Sequence, residues 1–118
     1  MKPFKPIARG LLRWRPPAEG GRPTGRPGGE QYASSAVLVL GDGAEVLPGW
    51  PDTAERFSIG FNLLPAPQSE WELVEFDFLA RDLVLGKLSP GVEILITEGW
   101  KIVADLQVTE VLENSGEA

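Results

Sequence analysis

The chain has 118 residues, 42% of them hydrophobic, enough to fill one core, and a net charge of -6. It contains neither cysteine nor histidine, which removes disulfides, thiolate metal sites, thiol nucleophiles and the imidazole of Ser-His-Asp catalysis. Residues 1–30 hold Lys2, Lys5, Arg9, Arg13, Arg15, Arg22 and Arg26 against Glu19 and Glu30, a local charge of +5, so the remainder carries -11.

The basic start is broken by Pro3, Pro6, Arg9 and Arg13 and does not read as a signal peptide. No apolar run approaches the roughly 18 to 20 residues that span a bilayer, so a soluble cytoplasmic protein is the expectation. From Ala8 onward, Ala8, Gly10, Leu12 and Trp14 alternate with Arg9, Leu11, Arg13 and Arg15. This period of two predicts a strand with one buried edge and one mostly basic edge, ending at Pro16 and Pro17.

PPAEGGRPTGRPGGE, residues 16–30, is the one low-complexity stretch; its composition suits a linker or a functional loop, and the expectation is a connection within one domain. SSAVLVL follows and stops at the Gly41–Gly43 turn. FSIGFNLL, from Phe57, stops at Pro65-Ala66-Pro67, and the intervening LPGWPD is irregular because Pro48 and Pro51 cannot donate to a ladder. WELVEFDFL sets Val74, Phe76 and Phe78 on one face and Glu75 and Asp77 on the other. After the short segment Leu83–Leu85, Pro90 and Gly91 suit the centre of a type II turn. Val92, Ile94 and Ile96 then share a strand face, and Glu98 and Gly99 turn the chain into KIVADLQVTEVL, completing a hairpin.

The expected fold is therefore all-β. It is a single domain over residues 1–118, a small closed or partly closed antiparallel β-barrel of about six or seven strands, with residues 1–6 and 113–118 as flexible tails.

Two turns carry a resemblance. A first strand running into AEGGRPT and then a Gly-Arg-Pro element resembles the opening of the C-terminal β-barrel domain of elongation factor Tu and related translation factors. There an acidic Gly-Gly-Arg turn is followed by Thr and Pro, and then by Gly-Tyr-Arg-Pro-Gln-Phe. ILITEGWKIVADLQVTEVL is similar to that family's last hairpin, with its Glu-Gly-Gly-Arg turn. Here Trp100 and Lys101 replace the second Gly and the Arg, and Gly28 and Gly29 follow Arg26-Pro27. The resemblance covers about Ile7 to Leu112. It implies a translation-factor barrel that binds a partner, in that family aminoacyl-tRNA and neighbouring domains, and catalyses nothing by itself. A phosphate-binding GxxxxGK[ST] loop is absent, so GTP hydrolysis is not expected.

The candidate binding residues are Arg9, Arg13 and Arg15 on the first strand, Gly20, Gly21, Arg22, Thr24 and Arg26 in the loop, and Trp100 and Lys101 in the last turn. Glycines expose backbone N–H groups, arginines meet phosphate oxygens, and a turn tryptophan stacks on a base or anchors a protein. The same residues also suit a plain soluble turn and a solvated strand face. Trp50 reads as a turn residue able to make a contact or plug a barrel end, and Trp14 and Trp71 read as core or rim. Glu70, Glu72, Glu75, Asp77 and Asp82 read as a solvated face, with a carboxylate enzyme as the competing account. The expectation is a non-enzymatic module without cofactor or metal that binds a protein partner, with tRNA or another RNA as the alternative.

Overall fold

The computed structural model describes residues 5–63 and 69–112. Six strands, β1 Ala8–Trp14, β2 Gln31–Val39, β3 Phe57–Asn62, β4 Trp71–Phe78, β5 Glu93–Glu98 and β6 Lys101–Val111, form one closed antiparallel barrel in the order β1-β4-β3-β2-β5-β6. Among the described residues, closure leaves no unpaired sheet edge. No helix among the described residues is long and apolar enough to cross a membrane.

Strand alternation builds the interior. Ala8 and Leu12 of β1, Ala36 and Leu38 of β2, Phe57, Ile59 and Phe61 of β3, and Val74, Phe76 and Phe78 of β4 meet Ile94 and Ile96 of β5 and Ala104, Leu106 and Val108 of β6 in one core. Phe76 packs against both Phe61 and Phe78, with ring centroids 6.2 and 6.1 Å apart. Gly10 lies on the same inward face, where an added Cβ would stand 2.6 Å from the Gln107 carbonyl oxygen. The run SSAVLVL loses its alternation because both faces of β2 are covered. Val37 points outward beside Leu95, yet both are buried, and Arg56 of the 40–56 connection reaches past them to Thr97 Oγ1 (2.8 Å).

Topology decides what closes the ends. In the ring β1 and β2 are three places apart, and so are β4 and β5. Each of those two connections therefore has to cross a mouth of the barrel. At the lower end, where β4 stops, a single turn of helix (α1, Arg81–Val84) and the 3-10 turn after it bring Val84 and Leu88 into the core. The short segment Leu83–Leu85 is thus helical. The Ser89–Val92 turn has the expected form, with Gly91 at φ 97° and Val92 N–H donating to the Ser89 carbonyl (3.1 Å). At the upper end, where β1 stops, residues 15–30 make the crossing, so this stretch joins two strands of the same barrel.

Residues 1–4 and 113–118, most of the two expected tails, lie outside the described residues, as do Pro65-Ala66-Pro67. Lys5 is held through its carbonyl oxygen, which accepts from Arg81 Nη1 (2.9 Å).

Candidate functional site

The upper mouth is lined by side chains that continue the inward faces of their strands: Trp14 from β1, Tyr32 from β2, Glu72 from β4 and Glu98 from β5. The crossing loop starts with a turn in which Gly20, at φ 89°, donates to the Pro17 carbonyl (3.0 Å) and Gly21 to the Pro16 carbonyl (3.1 Å). Gly21 is buried, and an added Cβ would fall 1.8 Å from the Arg15 carbonyl oxygen, so only glycine fits this backbone.

Beyond this turn the loop turns two guanidiniums into the mouth. Arg26 donates from Nε and Nη2 to Glu72 at 2.8 and 2.9 Å, a two-point pair on a carboxylate whose side chain is 3% exposed. The Trp14 indole N–H donates to the same carboxylate (3.1 Å). Arg22 donates to Glu98 (2.5 Å) and to the Gly25 carbonyl (2.8 Å), and its guanidinium lies 5.7 Å from the centre of the Tyr32 ring. The Tyr32 hydroxyl donates to Glu98, and the Tyr32 and Trp14 rings meet edge to face at 5.1 Å.

Burial, and then the hydrogen bond to Glu98, push the Tyr32 hydroxyl up to about 12. The folded state holds this proton more tightly than the unfolded chain, whose value is about 10. The stabilisation is complete below about pH 10 and is lost as pH climbs through the folded value. Tyr32 is the only tyrosine, so the phenolate absorbance of the native protein is expected to titrate about two pH units above that of the urea-unfolded chain. Coincident midpoints for the two states would refute the buried Tyr32–Glu98 contact.

The basic edge of β1 is not a free cationic stripe. Its neighbours in the ring, β4 and β6, carry the acidic residues. Arg9 pairs with Glu75 (3.1 Å) and Glu110 (3.2 Å), and Arg13 with Glu70 (2.5 Å) and Glu19 (3.2 Å). Arg15 grips Asp105 at two points, 2.9 and 2.8 Å. The separation of charge along the chain thus closes up in space. Thr24 is exposed at the loop surface. Trp100, 76% exposed in the β5–β6 turn, lies under the Arg56 guanidinium at 5.4 Å, beside the exposed Lys101, at the same upper end where Arg22 meets Glu98 and the Arg15 N–H donates to the Val103 carbonyl (2.9 Å). Trp50 is half-buried and lines a 320 Å³ cavity at the lower end with Leu38 and Phe57.

Two expectations about the acidic residues need correction. Glu72 and Asp77 are buried, not solvated. Glu72 has the parity of Val74 and Phe76 and points inward, while Asp77 accepts from Arg81 (2.8 Å) and from the Phe78 N–H (2.8 Å). Of the core and rim readings of Trp71, core is wrong: it opens β4 at the upper rim and stands on the outer wall, 40% exposed. There Leu73, 52% exposed, faces Leu11 across the β1–β4 ladder, and Trp71 faces Arg13. Hollows of about 390 Å³ beside Leu73 and about 150 Å³ beside Trp71 flank these side chains. The odd-numbered positions of WELVEFDFL carried this signal: two of its large side chains sit on the face opposite Val74 and Phe76.

Fold and site together define a small closed β-barrel whose upper mouth is plugged by its own arginines and whose wall bears an exposed aromatic and aliphatic patch. The chain matches no known family model, no curated protein and no solved structure.

Proposed function

We propose that the chain is a non-enzymatic protein-binding module, a barrel with the strand and turn order that resembles the C-terminal domain of elongation factor Tu. The observation that carries the protein reading is the outer-wall patch of Leu11, Trp71 and Leu73, rimmed by the ion pairs of Arg9 and Arg13. An exposed tryptophan and leucine inside a charged rim is the anatomy of a protein contact, where a few large side chains supply most of the binding energy. The arginines that suggested a phosphate-binding surface are already engaged by carboxylates, which weakens their attraction to a phosphate backbone. The RNA reading keeps one observation in its favour, the exposed Trp100 with Arg56 and Lys101 beside it.

A Trp71→Ser/Leu73→Ser double variant is expected to melt close to the wild type, because both side chains are on the surface, and to lose at least about tenfold in affinity for a protein partner captured by the wild type. Equal capture by both proteins would overturn the assignment of the wall. Labelled bulk tRNA is expected to show no saturable binding at low salt. Saturable binding that weakens steeply with salt and with Trp100→Ala would replace the protein reading with the RNA one.

A further inference from the structure

The two halves of the upper mouth come from different kinds of structure. The acceptors, Glu72 and Glu98, and the aromatic rings, Trp14 and Tyr32, all stand on strands of the closed barrel. The donors, Arg22 and Arg26, both stand on the crossing loop. The backbone bonds of residues 21–29 stay inside the loop, Gly21 to Pro16 and Gly25 to Arg22. Among the described residues, the hydrogen bonds that tie this segment to the strands come from the two guanidiniums.

A carboxylate gripped at two points, an indole N–H oriented onto it, and a phenol ring facing a second guanidinium beside a second carboxylate make a rigid receptor for planar cations. A compact ammonium cannot make the two-point contact that Glu72 offers. The receptor carries more negative charge than the barrel interior tolerates alone, so it has to be filled.

We propose that the upper mouth is an arginine-recognition site held by the chain's own 15–30 loop, and that an arginine-bearing peptide segment of a partner enters by displacing it. The loop acts as an intramolecular competitor. The apparent affinity for an outside peptide equals the intrinsic affinity reduced by the fraction of molecules with the loop open. This site is separate from the outer-wall patch and stands or falls without it.

The test uses a blocked peptide with the sequence of residues 23–29, PTGRPGG, titrated calorimetrically into the wild type and into an Arg22→Ala/Arg26→Ala variant. The variant is expected to bind it saturably and the wild type at least about tenfold more weakly, the difference set by loop opening. The same peptide with lysine for arginine is expected to bind neither protein. In the wild type at saturating peptide, the Gly25 amide, bonded to Arg22 inside the closed loop, is expected to exchange with solvent at least about tenfold faster.

A folded variant that does not bind, a wild type that binds as tightly as the variant, equal binding of the lysine peptide, or unchanged Gly25 exchange at saturation would each overturn the proposal. If the double variant does not fold, Arg26→Ala alone frees Glu72 and its two-point contact and is read by the same criteria.

Discussion

Arg26→Ala is expected to lower the unfolding free energy by about 2 to 3 kcal/mol in urea denaturation, the largest effect of any single arginine on this barrel. The loss arises less from the missing attraction than from what stays behind. Glu72 keeps its place on the inward face of β4 beside Val74 with, among the described residues, the Trp14 indole N–H as its one remaining side-chain donor. Removing one member of a buried pair leaves a charge with too few partners. The figure lies at or below the lower end of the usual range because Arg26 itself is about a quarter exposed. Glu72→Gln in the Arg26→Ala background is expected to recover part of the loss, since a neutral amide costs less to bury than a carboxylate. Arg13→Ala, whose hydrogen-bonded partners Glu70 and Glu19 are at least half exposed and whose approach to Asp105 is long at 3.9 Å, is expected to leave the urea midpoint nearly unmoved. An Arg26→Ala midpoint as close to the wild type as that of Arg13→Ala would show that the loop does not plug the mouth.

Gly21→Ala is expected to cost about 2 to 3 kcal/mol by forcing the loop off its seat. The added methyl would lie 1.8 Å from the Arg15 carbonyl oxygen, and backbone, not a flexible side chain, is what it meets. The turn has to open, carrying Arg22 and Arg26 away from Glu98 and Glu72. Two observables separate this from a general loss of packing. The Trp14 indole N–H resonance is expected to move as Glu72 loses its two-point partner, and the effects of Gly21→Ala and Arg26→Ala are expected to sum to less than additivity, because both release the same contact. Gly28→Ala is the control in the same loop: nothing lies within 4 Å of its added Cβ. A full sum of the two losses would mean that Gly21 and Arg26 act independently and would sink the loop-as-plug account.

Both predictions concern a stretch that reads as a connection within a domain but whose place in space is not written in one dimension. PPAEGGRPTGRPGGE has the composition of a linker, and nothing in its own residues says that it crosses a barrel mouth. That follows from strand order. β1 and β2 are consecutive in the chain but stand on opposite sides of the ring, because β4 and β3 are inserted between them on one side and β6 and β5 on the other. Strand order rests on pairings between residues such as Ala8 and Phe76 or Ala8 and Val111, far apart in sequence, which no local pattern specifies.

Local patterns nonetheless determined a good deal. Alternation over Ala8–Trp14 and Val74–Phe78 marked β1 and β4 and the residues they bury, and Pro90-Gly91 and Glu98-Gly99 placed the turns that bracket β5. This works because a strand has a period of two and a turn needs its own backbone angles, whatever surrounds it. The same alternation also held Glu72 on the inward face, but acidic character outweighed parity in the reading of that residue. Charge is where sequence and space part. Seven cations near the start and an acidic remainder look like a basic end and an acidic body, yet the ring sets β1 between β4 and β6, and Arg9, Arg13 and Arg15 meet Glu75, Glu70 and Asp105. The sequence alone marked most of the strands and the turns around β5, though not the helical turn Arg81–Val84, since strands and turns are short-range properties of the backbone. Only the tertiary structure decided which cations remain exposed to a partner, because Coulomb attraction acts over a few ångströms in space and takes no account of distance along the chain.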